Sequence, residues 1–574
     1  MAGQLAITIG QYSNKGRKET NQDFHGALIP EEPLLTLKGV AVVIADGISS
    51  SDVGGIASQS AVKSFLTDYY ATPDTWSVRL SAQRVIDAAN SWLHAQTRRG
   101  QHPHDRDKGY VCTLSALIVR ARVAHIFHVG DARIYRLTAN ALEQLTEDHR
   151  VFLSSVEIYL GRALGVNRKI EIDYRAVPIE PGDTFVLVTD GVHEHVDQQF
   201  VAEMVRGATC DLDAAARTIA EEARRRGSPD NLTVEILRID ALGSSELGDL
   251  LGSSADLAPP PLLEARAVID GYRIEREIHG SSRSHIYLAT DTATGDRVAI
   301  KTPSVDLRDN PDYLRRFHME EWIVRRIDNP HVLRPRPQSR TRSYLYVATE
   351  FIEGQTLKQW MIDRPSPTLE AVRGVIEQIA KGLQAFHRLE MLHQDLRPDN
   401  IMIDHAGTVK IIDFGSTRVS GIADDPPFGG PEEILGTLQY TAPEYFTGNA
   451  ASTASDIFSL GVIAYQMLTG RLPYGADVAK VRSKSHLRKL HYRPAVDDDL
   501  EIPGWVDKTL RKAVHPDPER RYAELSEFMF DLSHPGKNAE TAPVSLMDRN
   551  PVLFWQCVSA ILAIVVLCLL LALR

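Results

Sequence analysis

Residues 241–267 constrain the fold more than any other part of this chain, because their composition is that of a linker. They carry two Gly-Ser-Ser triplets and three consecutive prolines, Pro259 to Pro261. Such a stretch offers little apolar surface, and proline has no backbone N–H for helices or sheets. At 574 residues the chain is also longer than the roughly 250 to 300 at which single cores stop growing. We therefore expect two large domains, at 1–240 and 269–534, joined by a linker at 241–268.

The C-terminal part of the chain is strongly apolar. Between Val552 and Leu573 the only polar residues are Gln556, Ser559 and two cysteines. A helix of this length would cross the ~30 Å hydrocarbon core of a bilayer. We therefore expect a juxtamembrane linker at 535–551, a membrane-spanning helix at 552–573 and the membrane as a partner. The alternative is a buried helix of a soluble domain.

Charge and cysteine usage exclude two classes of protein. The chain has 64 basic and 75 acidic residues and a formal net charge of -11. A nucleic-acid-binding protein would normally show a basic surplus, so we expect no nucleic acid partner. Cys112 and Cys210 lie far apart and the other two cysteines lie in the apolar tail, so no disulfide framework is available. Because the N-terminus shows no secretory signal, we expect the two large domains in the cytoplasm.

Four aspartates of the first domain lie at the ends of strand-like apolar runs. Asp46, Asp131 and Asp190 follow such runs, and Asp230 precedes one. Carboxylates gathered there would repel one another and raise each other's pKa unless a cation joined them. No Lys or Arg is adjacent in sequence to Asp46 or Asp190. A hard divalent cation would compensate the charge, and Gly47 would let its carbonyl approach the ion closely. The alternative is that these Asp-Gly pairs are only turns.

Five short motifs occur in order along this domain: Asn21-Gln22-Asp23, Ala45-Asp46-Gly47, Val129-Gly-Asp-Ala-Arg133, Thr189-Asp190-Gly191 and Ser228-Pro-Asp-Asn231. As an ordered set they resemble the motifs of the metal-dependent (type 2C) serine/threonine protein phosphatases, over about the first 240 residues. The resemblance implies a four-layer α+β sandwich, two antiparallel sheets flanked by helices, with two Mn or Mg ions between the sheets. It also implies the metal-site residues, which are Asp23, Asp46, Gly47 through its carbonyl, Asp190 and Asp230, with Asp131 for a more weakly held third ion.

The chemistry that this resemblance implies is hydrolysis of a phosphate ester by a metal-bridging water, with no side-chain nucleophile. Two positions depart from the family pattern. Gln22 replaces a common glutamate, which removes one anionic charge near the second ion. Lys18, beside Arg17, replaces the phosphate-binding arginine and would attract phosphate as a point charge without bidentate geometry.

Cysteines and histidines raise two other chemistries for this domain. Neither Cys112 nor Cys210 is followed six residues later by the arginine of the thiol phosphatases, so cysteine catalysis does not fit. His193 and His195 leave zinc as an alternative, against the simpler interpretation of solvated loop histidines.

The second domain begins with a lysine at the end of an apolar strand, Val298-Ala-Ile-Lys301. In the helix-like stretch that follows, apolar residues recur at about 100° per residue, and Glu320 falls near the centre of the apolar stripe. A buried glutamate needs a cation, and Lys301 is the natural partner. A Lys–Glu pair that grips phosphates is a feature of protein kinases. The alternative is that both are surface residues.

Three later motifs are more specific: His393-Gln-Asp-Leu-Arg-Pro-Asp-Asn400, Ile411-Ile-Asp-Phe-Gly415 and Ala442-Pro-Glu444. They resemble the motifs of the eukaryotic-like (Hanks-type) serine/threonine kinases across residues 270–533, which implies a bilobal α+β fold and Mg-ATP as the cofactor. By matched position Asp395 would accept the proton of the substrate hydroxyl. Asn400 and Asp413 would hold Mg, and Lys301 would pair with the ATP phosphates.

The same resemblance implies further roles in the second domain. Glu350 and Ile352 match the hinge that binds adenine, with Thr349 as gatekeeper, and Ile278 and Ile286 would also bind ATP. Glu320 would complete the phosphate-gripping pair. Two structural roles follow from the same match: Glu444 would pair with Arg521, and Asp456 would tie the catalytic loop.

The glycine-rich loop of the kinase pattern is where the match weakens. Where the family has three glycines, this chain has His279, Ser281 and Ser284, with Gly280 displaced by one position. Glycines there let backbone N–H groups approach the phosphates, so we expect weaker ATP binding. Arg397 replaces the usual catalytic-loop lysine, and Gln394 replaces an arginine that pairs with an activation-loop phosphate in many kinases.

The sequence as a whole predicts a membrane-anchored bifunctional enzyme that acts on phosphoproteins and uses ATP, with both domains on the cytoplasmic side. The alternative is an active phosphatase whose kinase fold is a scaffold that binds partners or nucleotide without phosphotransfer. The altered loop favours the scaffold, whereas Lys301, Asp395, Asn400 and Asp413 favour an active kinase.

Overall fold

The computed structural model describes most of the chain. The residues described are 5–100, 105, 108–138, 142–152, 158–208, 211–243, 257–337, 340–422, 439–447, 451–481, 483–496, 502–535, 554–556 and 558–559. Two domains follow one another within these ranges. The first is built on two sheets, and the second has a small lobe with one sheet and a larger helical lobe.

The first domain is a sandwich of two five-stranded antiparallel sheets, with strand orders β1-β12-β11-β6-β7 and β10-β5-β4-β3-β2. Its strands are β1 (Ala6–Asn14), β2 (Asp23–Leu28), β3 (Val40–Asp46), β4 (Leu114–Arg120), β5 (Val123–Val129), β6 (Arg133–Leu137), β7 (Leu142–Gln144), β8 (Arg150–Phe152), β9 (Ile158–Leu160), β10 (Asp173–Pro178), β11 (Thr184–Val188) and β12 (Leu232–Ala241). Its helices are α1 (Leu34–Lys38), α2 (Gly54–Ala71), α3 (Val78–Arg99), α4 (Asp190–His193), α5 (Gln198–Gly207) and α6 (Leu212–Arg225). Strands β8 and β9 pair only with each other among the described strands.

Strand β3 shows why this domain contains continuous apolar runs rather than alternating ones. Ala41, Val43 and Ala45 pack in the cluster formed with α2 and α3, whereas Val42 and Ile44 pack against the facing sheet. Successive side chains of a strand point to opposite faces, so a strand that is covered on both faces is apolar throughout. Helices α5 and α6 cover the outer face of the other sheet. The four layers that the sequence predicts are therefore present.

The second domain has a small lobe in which the sheet order is β13-β14-β15-β16-β17. The strands of this domain are β13 (Val268–Ile269), β14 (Tyr272–Gly280), β15 (Ser284–Asp291), β16 (Arg297–Pro303), β17 (Val347–Glu350), β18 (Gly354–Thr356), β19 (Met391–Leu392), β20 (Ile401–Asp404), β21 (Val409–Ile411) and β22 (Arg418–Val419). Its helices are α7 (Pro311–Val324), α8 (Leu357–Asp363), α9 (Leu369–Arg388), α10 (Thr453–Thr469), α11 (Lys484–Leu487), α12 (Gly504–Ala513) and α13 (Leu525–Ser533). The bilobal arrangement matches the expectation from the sequence.

Helix α10 runs through the core of the larger lobe, which is why nearly all of its residues are buried. It begins with a capping box formed by Ser452 and Ser455 and ends at Gly470, whose φ of 67° is in the left-handed region. Beside its first turn, Glu444 accepts two hydrogen bonds of 2.7 Å from the Arg521 guanidinium, and both side chains are almost completely buried. The predicted pairing of these two residues is confirmed.

The described end of the expected linker lies along the small lobe. The carbonyl of Ala258 accepts a hydrogen bond of 2.9 Å from Leu345 N, and Leu263 packs against the core of the small lobe. Residues 244–256 lie outside the described residues. The residues from 257 onward are thus attached to the kinase-like domain before β13 begins.

The expected membrane-spanning helix at 552–573 requires a correction. In the part of the chain that the structure describes, no helix is long and apolar enough to cross a bilayer. A spanning helix needs about 20 consecutive residues, and the described helical residues in this region are 554–556 and 558–559 only. The rest of 552–573 and the expected juxtamembrane linker, apart from residue 535, lie outside the described residues. The apolar composition alone led to the expectation, and composition does not by itself define a continuous helix.

The buried pair of Arg521 and Glu444 yields a prediction about stability. Replacing Arg521 by Ala would leave the Glu444 carboxylate buried without its cation, which costs about 3–5 kcal/mol. We expect this loss in the kinase-domain transition of urea denaturation. Arg225→Ala is the control, because the Arg225 side chain is 73% exposed and its partner Glu222 keeps a second cation in Arg226, so it should leave the unfolding transition almost unchanged. Equal effects of the two substitutions would contradict the prediction.

Candidate active sites

The first candidate site lies where strands of both sheets in the first domain end. Asp46 ends β3 and pairs in register with Asp23, the first residue of β2. Asp23 Oδ2 accepts hydrogen bonds from Thr233 Oγ1 at 2.6 Å and from Thr189 Oγ1 at 2.9 Å. These threonines belong to the other sheet region, on β12 and directly after β11. The site is therefore formed between the two sheets.

The aspartates of this site repel one another. Burial raises the pKa of Asp46 well above its ordinary value, and the carboxylates of Asp23 and Asp190 raise it further. Burial also raises the pKa of Asp190 to about 7, with Asp131 and Asp230 contributing repulsion. Asp46 Oδ1 is buried and has no hydrogen-bond partner. Such a group of carboxylates favours a bound cation, so the residues present fit the implied metal ions.

Two cationic side chains of the protein already lie beside these carboxylates. Arg150, at the start of β8, contacts Asp131 Oδ2 through Nε at 2.9 Å and lies 3.9 Å from Asp190 Oδ2. Lys18 Nζ contacts Asp230 and the hydroxyl of Ser49. Arg150 was missed by the sequence reasoning, because it adjoins the aspartates only through the fold and no motif marks it. Among the described residues, no three side chains of His, Cys, Asp or Glu lie close enough together to hold one ion.

Three further residues predicted for this site are Gly47, Gln22 and Arg17, and each lies in a different environment. The position of a Cβ on Gly47 would be 2.2 Å from the Gly54 carbonyl oxygen, so only glycine fits there. Gln22 donates its Nε2 to the carbonyl of Ser51 at 2.7 Å, so its amide is engaged with a loop. Arg17 is exposed to solvent.

The structure also places residues of the zinc and cysteine alternatives. His193 Nε2 lies 2.9 Å from the backbone carbonyl of Asp131, and burial together with Arg133 lowers the pKa of His193 to about 4. Burial raises the pKa of the Cys112 thiol, which makes it a poor nucleophile. Cys210 lies outside the described residues.

The second candidate site lies between the two lobes of the second domain and is centred on Lys301. Its Nζ donates to both carboxylate oxygens of Glu320, at 2.6 and 2.8 Å, and to Asp413 Oδ1 at 3.2 Å. The predicted pair of Lys301 and Glu320 is confirmed. Although burial opposes ionisation of Asp413, Lys301 outweighs it and lowers the pKa of Asp413 to about 2. Asp413 is therefore ionised at neutral pH, as a metal-binding carboxylate must be.

The catalytic loop is held by Asp456, whose buried carboxylate accepts hydrogen bonds of 3.0 Å from the amides of His393 and Gln394. The tie that the sequence predicts for Asp456 is confirmed. Within this loop, Asn400 Nδ2 donates to Asp395 Oδ2 at 3.1 Å and to the Asp395 carbonyl at 2.9 Å.

The pKa of Asp395 suits a side chain that accepts and releases a proton. Burial raises the pKa of Asp395 to about 6, although Arg397, at 3.9 Å, opposes the shift. A carboxylate with a pKa just below neutral is ionised at pH 7 and can still accept a proton.

The hinge residues and the two isoleucines lie on the strands of the small lobe or directly after the last of them. Both carboxylate oxygens of Glu350 lie 2.7 Å from Lys410 Nζ. A contact between Glu350 and adenine would therefore have to use the Glu350 backbone. Ile352 is buried. Ile286 pairs in register with Lys301 across the sheet, and Ile278 is 40% exposed on the neighbouring strand.

The loop between β14 and β15 uses its own serine where the family has glycine. Ser281 Oγ accepts hydrogen bonds from the amides of Arg283, at 3.3 Å, and Ser284, at 3.1 Å. The Ser281 amide donates to the Ser284 carbonyl at 3.0 Å. These are amides of the kind that would otherwise face ATP phosphates. The serine substitutions thus close the turn on itself.

Comparisons with known proteins assign a family to each of the two domains. The family model for the protein kinase domain matches residues 272–531, and that for protein phosphatase 2C matches residues 11–222. Serine/threonine-protein kinase PrkC of Bacillus subtilis is 29% identical over 272 residues, which is 47% of this chain and 41% of that protein. Serine/threonine-protein kinase PknL of Mycobacterium bovis is 30% identical over 271 residues, which is 47% of this chain and 67% of that protein. The chain spans between 41% and 55% of the length of the first three curated relatives it matches.

A solved structure is similar to the first domain. The catalytic domain of the serine/threonine phosphatase PstP in complex with two manganese ions is 22% identical, with a TM-score of 0.35, over 41% of this chain and all of that one. From the two family models and the relationship to PknL, the chain belongs to the serine/threonine protein kinases and carries a protein phosphatase 2C domain ahead of its kinase domain.

Proposed function

We propose that this chain is a bifunctional signalling enzyme in which a metal-dependent phosphoprotein phosphatase is joined to an ATP-dependent serine/threonine kinase. The observation that carries the proposal is the ion-pair network of Lys301, Glu320 and Asp413, which is complete between the lobes. An idle kinase fold would have no need to keep these three charges together around the buried Glu320. Both domains would act in the cytoplasm, where ATP is present, on phosphoproteins and on protein hydroxyl groups respectively.

In the phosphatase domain, Asp46, Asp190 and Asp230 would hold two Mn or Mg ions together with the Gly47 carbonyl, with Asp23 supporting the site and Asp131 holding a third ion. The ions would lower the pKa of a water and neutralise phosphoryl oxygens. Support comes from the orphaned Asp46 Oδ1 and from the raised pKa of Asp190. Lys18, which contacts Asp230, lies where it would attract the phosphate of a substrate.

In the kinase domain, Asp395 would take the proton of the substrate hydroxyl as the phosphoryl group transfers. Asn400 positions Asp395 through the hydrogen bond at 3.1 Å and would hold Mg together with Asp413. Lys301, fixed by Glu320, would neutralise the ATP phosphates. Ile278, Ile286, Glu350 and Ile352 would hold the nucleotide base.

A second candidate function is supported by one observation. The Ser281 hydroxyl occupies two amides of the loop over the nucleotide site, which favours a kinase fold that binds partners without phosphotransfer. A single assay separates the two candidates: transfer of labelled phosphate from millimolar Mg-ATP by the full chain carrying Asp46→Asn, in which the phosphatase cannot remove the product. Transfer supports the bifunctional enzyme, and its absence from a correctly folded chain supports the scaffold.

The first prediction from this proposal concerns the metal ligands. Asp190→Asn should lower phosphatase turnover more than about 100-fold, because losing a ligand costs more than losing an outer-shell partner, which already costs 10- to 100-fold. Activity should also require Mn or Mg and survive thiol alkylation, since Cys112 is buried and protonated. Hydrolysis of a phosphopeptide measures both effects. Glu143→Gln, a surface carboxylate paired with Arg175, is the control and should keep full activity.

The second prediction concerns the catalytic base. Asp395→Asn should abolish phosphate transfer while leaving ATP affinity within about twofold, because the carboxylate acts on the substrate hydroxyl and not on the nucleotide. Lys301→Met should instead weaken ATP binding as well, since Lys301 is the cation that faces the phosphates. Transfer rates and nucleotide titration by calorimetry distinguish the two variants. Equal loss of ATP affinity in both would contradict the assigned roles.

The third prediction concerns the serines of the nucleotide loop. Ser281→Gly with Ser284→Gly should lower the ATP concentration for half-maximal transfer several-fold, because the amides that Ser281 now occupies would become available to phosphate. The measurement is the KM for ATP at fixed protein substrate, in the Asp46→Asn background. Thr294→Gly, on the distant β15–β16 turn, is the matched control. An unchanged KM would show that the serines do not limit ATP binding.

A further inference from the structure

A loop of the phosphatase domain lies against the kinase domain. It contacts the start of the kinase activation segment, which is the part of the chain that follows Asp413. This loop, residues 72–77 between α2 and α3, is called the docking loop below. Four polar contacts join it to the kinase domain: Asp74 Oδ2 to Arg326 Nη2 at 2.8 Å, the Gly421 amide to the Thr75 carbonyl at 3.0 Å, Trp76 Nε1 to the Arg388 carbonyl at 2.8 Å, and the Ser77 amide to Glu390 Oε2 at 2.7 Å. Leu37 of α1 adds an apolar contact, since it packs in the main core cluster of the kinase domain.

The docking loop is organised from inside the phosphatase domain. Lys38 is completely buried, and its Nζ donates to Thr72 Oγ1 at 2.9 Å, to the Pro73 carbonyl at 2.7 Å and to Ser81 Oγ at 2.8 Å. A buried ammonium with three acceptors holds their positions firmly, because any movement would leave a charge unsatisfied. The loop therefore presents its outer groups as a rigid surface. Nothing in the sequence pattern marked Lys38, because its acceptors are brought to it only by the fold.

On the kinase side, the contacts reach two elements that form the nucleotide site. Arg326 lies two residues beyond the end of α7, the helix that carries Glu320. Gly421 follows β22, the strand that comes after Asp413 and pairs with β19. The position of a Cβ on Gly421 would be 2.6 Å from the Thr75 carbonyl oxygen, so the close approach depends on glycine. The docking loop thus contacts both the chain just beyond the helix that carries Glu320 and the segment that follows Asp413.

We infer that the phosphatase domain is a non-catalytic activator of the kinase in the same chain, with the docking loop holding α7 and the start of the activation segment in the active arrangement. In the docked structure the bond between Lys301 and Glu320 is formed, at 2.6 Å, and Asp413 faces Lys301 at 3.2 Å. Both depend on the positions of the elements that the docking loop touches. The inference rests on the proposed kinase activity.

The phosphatase centre itself lies away from this interface. Helix α2 begins at Gly54, which packs against Gly47 of the metal site, and ends at Ala71, just before the docking loop. Its 18 residues span about 27 Å at 1.5 Å per residue. Activation should therefore not require phosphatase chemistry. The phosphatase centre of a docked chain is also poorly placed to reach hydroxyl groups near the docking loop, such as those of Thr417 and Ser420 in the segment that leads to Gly421.

Charge reversal in the full chain tests this inference. All variants carry Asp46→Asn, so that the product is not removed. Asp74→Lys and Arg326→Glu each replace an attraction by a repulsion and should slow phosphate transfer about fivefold or more, whereas the double variant should restore the rate to within about twofold. Lys381→Glu, which disrupts an exposed pair with Glu377 elsewhere on the kinase domain, is the matched control and should have no effect.

Hydrogen exchange gives a second, independent measurement. The Gly421 amide is bonded to the Thr75 carbonyl, so its exchange should accelerate in each single reversal and slow again in the double variant. Arg326 also stacks on Trp322, and its loss could act on the kinase domain alone. Trp76→Phe therefore serves as a further variant, because it changes only the phosphatase side and removes the donor to the Arg388 carbonyl. Like the single charge reversals, it should slow phosphate transfer and accelerate hydrogen exchange at the Gly421 amide.

Three results would overturn the inference. One is unchanged transfer and exchange in both Asp74→Lys and Trp76→Phe. Another is faster transfer when the contacts are broken, which would make docking inhibitory. The third is failure of the double reversal to restore exchange at Gly421. If the parent Asp46→Asn chain transfers no phosphate at all, the proposed kinase activity fails and the activation inferred from it falls too, while exchange at Gly421 still reports whether the domains dock.

Discussion

Buried carboxylates need a cation within reach, and this requirement shapes both domains of the chain. In the kinase domain the cations are side chains: Lys301 serves Glu320 and Asp413, and Arg521 serves Glu444. In the phosphatase domain Arg150 and Lys18 reach Asp131 and Asp230, but Asp46 retains a buried oxygen without a partner. The acidic side chains of the kinase site are therefore paired with a cation of the protein, whereas the phosphatase cluster leaves a buried carboxylate oxygen that a bound metal ion would satisfy.

Much of the fold could be predicted because its causes are local in sequence. The unbroken apolar run of β3 predicts a strand covered on both faces, and it packs against helices on one side and a sheet on the other. Glu320 could be assigned to Lys301 because helical periodicity placed it inside the apolar stripe. The spanning helix at 552–573 was predicted from composition alone, and the described chain contains no such helix. Arg150, Lys38 and the docking loop could not be predicted, because their contacts join residues that no periodicity relates.

The replacement of loop glycines shows how one substitution has two opposite consequences. Ser281 satisfies the amides of its own turn, which stabilises the hairpin of β14 and β15 in the absence of nucleotide. The same hydrogen bonds would have to break, or be shared, before those amides could face phosphate. Since Lys301, Glu320 and Asp413 remain in place beneath the loop, the cost falls on nucleotide affinity rather than on the geometry of transfer.

If both proposed activities operate in this chain, one must be kept from cancelling the other. The docked arrangement would do so by distance, because α2, which spans about 27 Å, runs from the aspartate cluster to the docking loop. If the phosphatase acts on phosphorylated kinase domains, it would reach them on a second copy or after undocking. Release of the docking loop, which Asp74 and Arg326 help to hold, would lower kinase activity and expose the segment after Asp413 to the phosphatase at once. Both changes would drive the phosphorylation state in the same direction.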